Sequence, residues 1–420
     1  MAAAALAVLC AGALGALASS SAPAAKSSAP KATTTPVVFV GNNWDGTADV
    51  LRWTPPTRSK PAGFTRIARL NIIPDHAQRM QEILLDPVRL AYFLAIRQFV
   101  GEGHDQFVDD MYSTNDGRHL IVSRPSFADV VSIDIATGQI AWRFRVAGQR
   151  SDHMGLSPDG RYVAVSASTG NVVHVLDTAT GQEVWQFPSG DSPHENTYSR
   201  DGSRIYHASI GLVYTPADQP LFDSTKGERY FQVVDTNTHQ IVERLDMGQK
   251  LAEAGYPDMS SAVRPMALSP DESKVYFQVS FFHGFVEYDF NQDRVTRVAS
   301  LPKLTQEPRE NYLLDSAHHG IAMNGPGTKL CVAGTMDDYA AIVSRSTFAH
   351  TLLQGLGTKP YWSTNSLDGN HCFVSWSGTD SLSAISYDSE REVARITVGD
   401  HPQRVRNGVV PSAWAAAQGR

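Results

Sequence analysis

HMGLSPDGRYVAVSASTGNVVHVLDTATGQEVWQFPSG, residues 153–190, is the stretch from which the fold can be read. A short strand ends at the turn Ser157-Pro158-Asp159-Gly160. An apolar strand follows, then a turn of small residues and a β-branched strand closing on Asp177, an Asx-Thr-Gly turn and a last alternating strand. Gly and Asn/Asp sit at the turns because those bends need residues that tolerate positive φ or bond their own backbone. Four strands in about 40 residues is the pattern of one propeller blade.

The same grammar recurs along the chain. It is found in DDMYSTNDGRHLIVSRPSFADVVSIDIATGQIAWRFRVAG at 109–148 and in HENTYSRDGSRIYHAS with YFQVVDTNTHQIVERLDMG at 194–209 and 230–248. It returns at 264–298, 318–353 and 361–399, so six units span about 105 to 399. VVFVGNNWDGTADVLRW (37–53) and FTRIARLNI (64–72) supply the outer strands of a seventh, and HPQRVRNGVV (401–410) its inner strand. Period-2 alternation sets each blade against the next, so only a closed ring buries every sheet. The expectation is an all-β, seven-bladed propeller over 37–410, closed by N- and C-terminal strands in one blade, with a tail at 411–420.

Ser-Pro-Asp-Gly-Arg-Tyr-Val-Ala-Val at 157–165 and Val-Leu-Asp-Thr-Ala-Thr-Gly at 175–181 resemble the YVTN β-propeller repeat family. The resemblance implies the fold. It does not imply one activity, because such propellers include lyases, lactonases, dehydrogenases and plain binding modules.

The composition is evenly globular, with 42% hydrophobic and 19% charged residues, and mildly acidic at formal charge -7. No Lys/Arg run occurs, which argues against nucleic acid. MAAAALAVLCAGALGALA (1–18) reads as a secretory signal, and 19–36 as a disordered leader rich in Ser, Ala, Pro and Thr. The rest lacks a stretch of about 18–20 apolar residues, so no membrane span is expected. The chain is read as a secreted or periplasmic monomer. Cys331 and Cys372 hold matching places in neighbouring repeats; two buried thiols are the preferred reading and a disulfide the alternative.

Inner strands of a propeller begin at one end of the central channel. The register there predicts a ring of Asp109-Asp110, Asp152-His153, His194-Glu195, Arg264-Pro265, His318-His319, Tyr361-Trp362 and His401-Pro402. Fourteen histidines in 420 residues make a histidine at a given pair of positions about a one-in-fifteen event, yet four of the seven pairs contain one. Shared ancestry of the repeats can produce such recurrence for packing alone, but acids, Arg and Tyr are mixed into the same ring. Extra residues at 74–104, 211–229, 249–262 and 302–317 are all expected to rim that end. The first has apolar residues at helical spacing broken at Pro87, and reads as two short helices forming either a side wall of the mouth or a patch on the flank.

Converging neutral imidazoles suit a divalent metal. His153, His194, His319 and His401 are the expected ligands, with Ca, Mn, Zn and Cu not distinguished. The expected catalytic group is His153, His194, His319, Tyr361 and Arg264. Arg404, Glu195, Asp110, Trp362 and His318 are the expected substrate contacts, an Arg being suited to a carboxylate. A His or Tyr base beside a metal or Arg fits lyase-type β-elimination on a uronate-containing glycan or another carboxylate or lactone. A non-catalytic binding propeller and a copper or quinone oxidoreductase are the alternatives. No Gly-x-Ser-x-Gly elbow, HExxH or phosphate-cradling Gly-rich loop is present.

Overall fold

In the structure, a computed structural model, residues 33–212, 225–312 and 315–418 are described. The predicted signal and most of the leader lie outside them, as does 213–224 within the second insertion. The turn chemistry expected from the sequence is in place. Asp134, Asp177, Asp235 and Asp289 each end a strand, and the Oδ1 of each accepts hydrogen bonds at 2.8–3.1 Å from the backbone N–H groups two and three residues on. Gly138 and Gly181 follow at φ near +70°, the left-handed region that costs glycine nothing.

These turns fold the chain into seven four-stranded antiparallel sheets. Blade 1 comprises Met111–Ser113, His119–Arg124, Asp129–Asp134 and Ile140–Arg145. Blades 2 to 6 cover 151–188, 193–245, 263–300, 320–354 and 360–397. In blade 7 the inner strand Pro402–Pro411 pairs with Thr34–Asn42, followed outward by Thr47–Thr54 and Gly63–Asn71. The register sets Val38 opposite Asn407 and Val40 opposite Val405. Two boundaries move: the first strand begins at Thr34, inside the stretch expected to be leader, and the expected tail holds a short helix, Ser412–Gln418.

Middle strands are sandwiched between adjacent blades and are apolar on both faces, whereas outer strands alternate. Leu120, Ile121 and Val122 are all buried, while Ile140–Arg145 has no fully buried residue. Between blades 1 and 2, Ile121 and Val130 pack on Met154, Val163 and Val165. Each such aliphatic side chain contributes about 1.5–3 kcal/mol.

The first insertion forms two helices, α1 (His76–Leu84) and α2 (Pro87–Ala95), followed by a π-turn, Ile96–Val100. Asp86 caps α2 by accepting from Val88 and Arg89 N–H, and Pro87 occupies its first position. Ile83 and Phe93 bury against Phe39, Phe107 and Phe127, so the helices lie on the flank of blades 7 and 1. Of this insertion, the π-turn reaches the channel mouth, through Phe99 and Val100.

Cys331 and Cys372 form a disulfide, against the preferred reading of two free thiols. They sit on the second strands of blades 5 and 6, and matching positions of neighbouring blades face one another at a Cα–Cα distance of 6.4 Å. Closing a loop of 41 residues stabilises by about 3–4 kcal/mol. Cys331→Ser/Cys372→Ser is expected to lose that amount, read from the denaturant midpoint, and reductant is expected to shift the native protein but not the variant. A second expectation concerns pH. Burial pushes His207 and His401 down to about 3, so the fold accommodates their neutral forms. The unfolded chain takes up protons on these rings below the ordinary 6.5 and the folded chain does not. Their stabilisation is therefore complete above 6.5 and is lost as pH falls toward 3. The denaturation midpoint should drop between about pH 7 and about pH 5; a flat midpoint would contradict this placement of the two rings.

Candidate functional site

Each inner strand starts at the same end of the channel, and a repeated contact fixes where. Ser123, Ser166 and Ser375, on second strands, donate from Oγ to the backbone carbonyls of Asp152, His194 and Gln403 in the next blade, at 2.6–2.9 Å. Each donor thus holds the residue that faces the axis one blade further on. The convergence encloses a cavity of about 120 Å³, lined among others by Asp109, His153, His194, Arg264, Tyr361 and Gln403.

His153, His194 and His319, from blades 2, 3 and 5, meet here. Their ring centroids lie 3.7, 5.8 and 5.9 Å apart, and each ring can present one nitrogen so that all three lie within 4.8 Å. All three are buried, and their pKa values fall well below the ordinary histidine value. Burial is the main cause, with Arg404 next for His153 and His319 and Arg264 next for His194. They are neutral imidazoles with lone pairs to offer. Glu195 Oε2 lies 2.6 Å from His153 Nδ1 and orients that ring, while Nδ1 of His194 and of His319 has no hydrogen-bond partner among the described residues. Tyr361 stacks on His319 at 4.1 Å with its hydroxyl 3.4 Å from Nε2. Burial pushes the Tyr361 phenol up, so it is a proton donor.

Charged groups surround the imidazoles. Arg150 donates to both oxygens of Asp152, at 2.9 and 3.3 Å, and Arg264 Nε donates to Ser280 Oγ at 2.8 Å. Asp109 is pushed up to about 7 by burial, which Arg404 opposes and Asp152 and Asp110 reinforce. Glu195 is likewise pushed up to about 7 by burial, against Arg404 and Arg406. With His153 pushed down and Glu195 up, a proton taken up by the bonded pair goes to the carboxylate before the imidazole.

Several predicted residues stand elsewhere. His401 is not on the axis; it stacks on Trp44 at 3.8 Å, with His104 on the other face of that indole at 3.8 Å. It occupies the left-handed position before a proline, as Ser192 and Lys359 do, at φ 54°, 50° and 50°. The axial residue therefore comes two positions later, at Gln403, which the sequence register misses. Alignment of Ser192-Pro193-His194, Lys359-Pro360-Tyr361 and His401-Pro402-Gln403 on the proline reveals it. His318 turns away into blade 5, where its Nε2 lies 3.0 Å from Asp337 Oδ2 and 3.1 Å from Tyr339 Oη. Asp110 is occupied by Arg406, which donates to both its oxygens at 2.9 and 2.8 Å. Glu195 and Trp362 line a second opening, about 370 Å³, with Tyr112 and Arg406. Of the four insertions, the first, second and fourth reach the axial cavity through Val100, Gly211 and Asp315. The third instead lines a separate groove with Arg309.

The donor set fits a borderline transition metal better than a hard cation. Three imidazole nitrogens suit Zn or Cu, whereas Ca and Mn favour oxygen ligands. The axial cavity, at about 120 Å³, is too small for a quinone cofactor.

Comparison with known proteins supports the architecture. Residues 113–307 match the PQQ_2 family, described as outer membrane protein assembly factor BamB. The match is thus to BamB-type propeller repeats and not specifically to the YVTN type. No curated protein sequence matches the chain. Among solved structures, Kuenenia stuttgartiensis hydrazine synthase is similar, at 15% identity and a TM-score of 0.55, over 70% of this chain and 88% of that one. At that identity the likeness is one of fold, and it agrees with the seven blades described above.

Proposed function

We propose that the chain is a metal-dependent enzyme acting on a small molecule at the axial cavity, with His153, His194 and His319 as ligands of one divalent transition metal. The observation that carries this reading is the meeting of three buried, neutral imidazoles from three blades, with Glu195 orienting one of them. Three protein ligands leave a coordination position for water or substrate, the arrangement of catalytic metal sites. Asp109 and Glu195, both near 7, are the groups able to exchange a proton at neutral pH. Tyr361 would act as donor and not as the base that β-elimination requires.

Size narrows the substrate. A cavity of about 120 Å³ is small beside the ~300–1,000 Å³ of pockets for drug-sized ligands. It favours a molecule of a few heavy atoms over a uronate glycan, so the elimination reading keeps only small acids. The disulfide supports an exported protein. One observation favours a redox variant with copper: the Tyr361 phenol stacked on His319 at 4.1 Å places an oxidisable ring against a ligand.

Elemental analysis of the purified protein should show about one equivalent of metal, and His194→Ala and His319→Ala should each abolish its retention. Glu195→Gln should weaken metal affinity by about 10–100-fold. Absorption and spin-resonance spectra separate copper from zinc. A native protein that takes up no zinc or copper on loading would remove this reading in favour of a plain binding propeller.

A further inference from the structure

The Asx turns of blades 2 and 3 end differently. Asp177-Thr-Ala-Thr-Gly181 closes on glycine, whereas Asp235-Thr-Asn-Thr-His239 closes on histidine in the same left-handed region, at φ 70° and 59°. At Gly181 the Trp142 indole of blade 1 lies down on the turn: a Cβ there would stand 2.4 Å from the ring, and Trp142 Nε1 donates to Thr178 O at 3.1 Å. One blade further on the corresponding tryptophan is Trp185, and it meets the His239 ring instead, stacked at 4.4 Å with 7° between the planes. With a ring in place of bare backbone the indole does not close on the turn, and a cavity of about 690 Å³ opens between blades 2 and 3. It lies at the end of the ring opposite the axial site, because its Ser157–Asp159 and Asp201–Gly202 turns follow the inner strands Ser151–Leu156 and Pro193–Tyr198. Its size is within the ~300–1,000 Å³ of sites for small organic molecules.

Rings and carboxylates line it together. Tyr162, Trp185, Tyr198 and His239 supply aromatic surface, Asp159 and Asp201 supply charge, and no Lys or Arg belongs to the lining. Each carboxylate is fixed through one oxygen only. Asp159 Oδ1 accepts from Ser157 Oγ and Arg161 N–H at 2.6 and 3.0 Å, and Asp201 Oδ1 from Ser199 Oγ, Ser203 N–H and Ser203 Oγ at 2.7, 2.9 and 2.8 Å. These bonds, those of Ser157 and Ser199 foremost, hold both carboxyls below the ordinary range, Asp201 at about 2, so both are anions at neutral pH. Arg161 shows what the rings attract, its guanidinium lying over Tyr162 at 4.9 Å; no Lys or Arg lies over Trp185 among the described residues. The lining hydroxyls are already donating, Ser157 to Asp159 and Thr236 to Gly202 O at 2.7 Å. Negative charge beside an indole, with those donors spent, suits a cation better than a sugar or an anion.

We infer that this cleft is a binding site for a small soluble organic cation, an ammonium ion carrying alkyl groups, held by cation–π contact with Trp185 and by the charges of Asp159 and Asp201. Alkyl groups spread the charge and match the aromatic surface, and the two carboxylates exclude anions by repulsion. The site is separate from the axial cavity and does not depend on a metal there.

The test is calorimetric titration of native protein with choline, with dimethylbutanol, the uncharged isostere in which carbon replaces nitrogen, and with glucose. Choline should bind saturably at one site, at least about tenfold more tightly than dimethylbutanol, and glucose should not bind. Trp185→Ala should weaken choline about tenfold while Trp185→Phe keeps most of the affinity. Asp159→Asn/Asp201→Asn retains the Oδ1 acceptors of both turns and should also weaken it several-fold. If a variant does not fold, the isostere comparison and a fall in choline affinity with rising salt are read on the native protein. Absence of choline binding, equal binding of choline and dimethylbutanol, or a preference for glucose overturns the inference. His194→Ala should bind choline as the native protein does, so loss of the metal reading and loss of this one are separate results.

Discussion

The pairing of Pro402–Pro411 with Thr34–Asn42 joins chain segments from opposite ends of the sequence, and the rest of the molecule depends on it. A single four-stranded blade cannot cover its own apolar faces; each is buried only by its neighbours. Without the seventh sheet, blades 1 and 6 would each expose a face such as that of Leu120 and Val122, or of Phe373 and Leu382. Because the inner strand of blade 7 comes from the C-terminal end, closure also delivers Gln403 and Arg404 to the axis. The same contact that completes the ring therefore completes the site.

Closure also explains why so many polar groups can be buried near the centre. Serine hydroxyls of one blade bond the axial carbonyls of the next, so the inner strand starts are held by hydrogen bonds and not by side-chain packing alone. This leaves the axial side chains free to be chosen for chemistry. Arg150 with Asp152 and Arg406 with Asp110 balance charges in pairs, and Glu195 is hydrogen-bonded to His153. Nδ1 of His194 and Nδ1 of His319 fall outside this balance, with no hydrogen-bond partner among the described residues.

Much of the fold is legible in the amino-acid sequence. Turn residues such as Asp177 and Gly181 impose local geometry through their own φ and side-chain bonds, and strand alternation follows from burial on two faces, so blade count and ring closure can be read directly. His153, His194 and His319 are legible as axial for the same reason, since strand length sets the distance from the turn Asp back to the strand start. His401 misleads because the register is counted back from a turn Asp, and the inner strand of blade 7, Pro402–Pro411, has none after it; aligned on the left-handed residue before proline that blades 3 and 6 share, the axial position falls two residues later. His318 misleads because two adjacent residues point to opposite faces of a strand, and only the packing of blade 5 selects which one meets the axis.

Whatever depends on neighbours in the chain is therefore settled by sequence: the turns, the alternation, the four-strand unit, its seven repeats and the end of the channel where the histidines gather. Whatever depends on partners distant in the chain is settled only by the folded ring. The disulfide between Cys331 and Cys372 follows from matching positions of adjacent blades facing one another at 6.4 Å. The neutrality of the axial histidines follows from their burial, which no single repeat encodes. The two-pronged bond of Arg406 to Asp110 joins residues 296 positions apart, a pairing that no local pattern specifies.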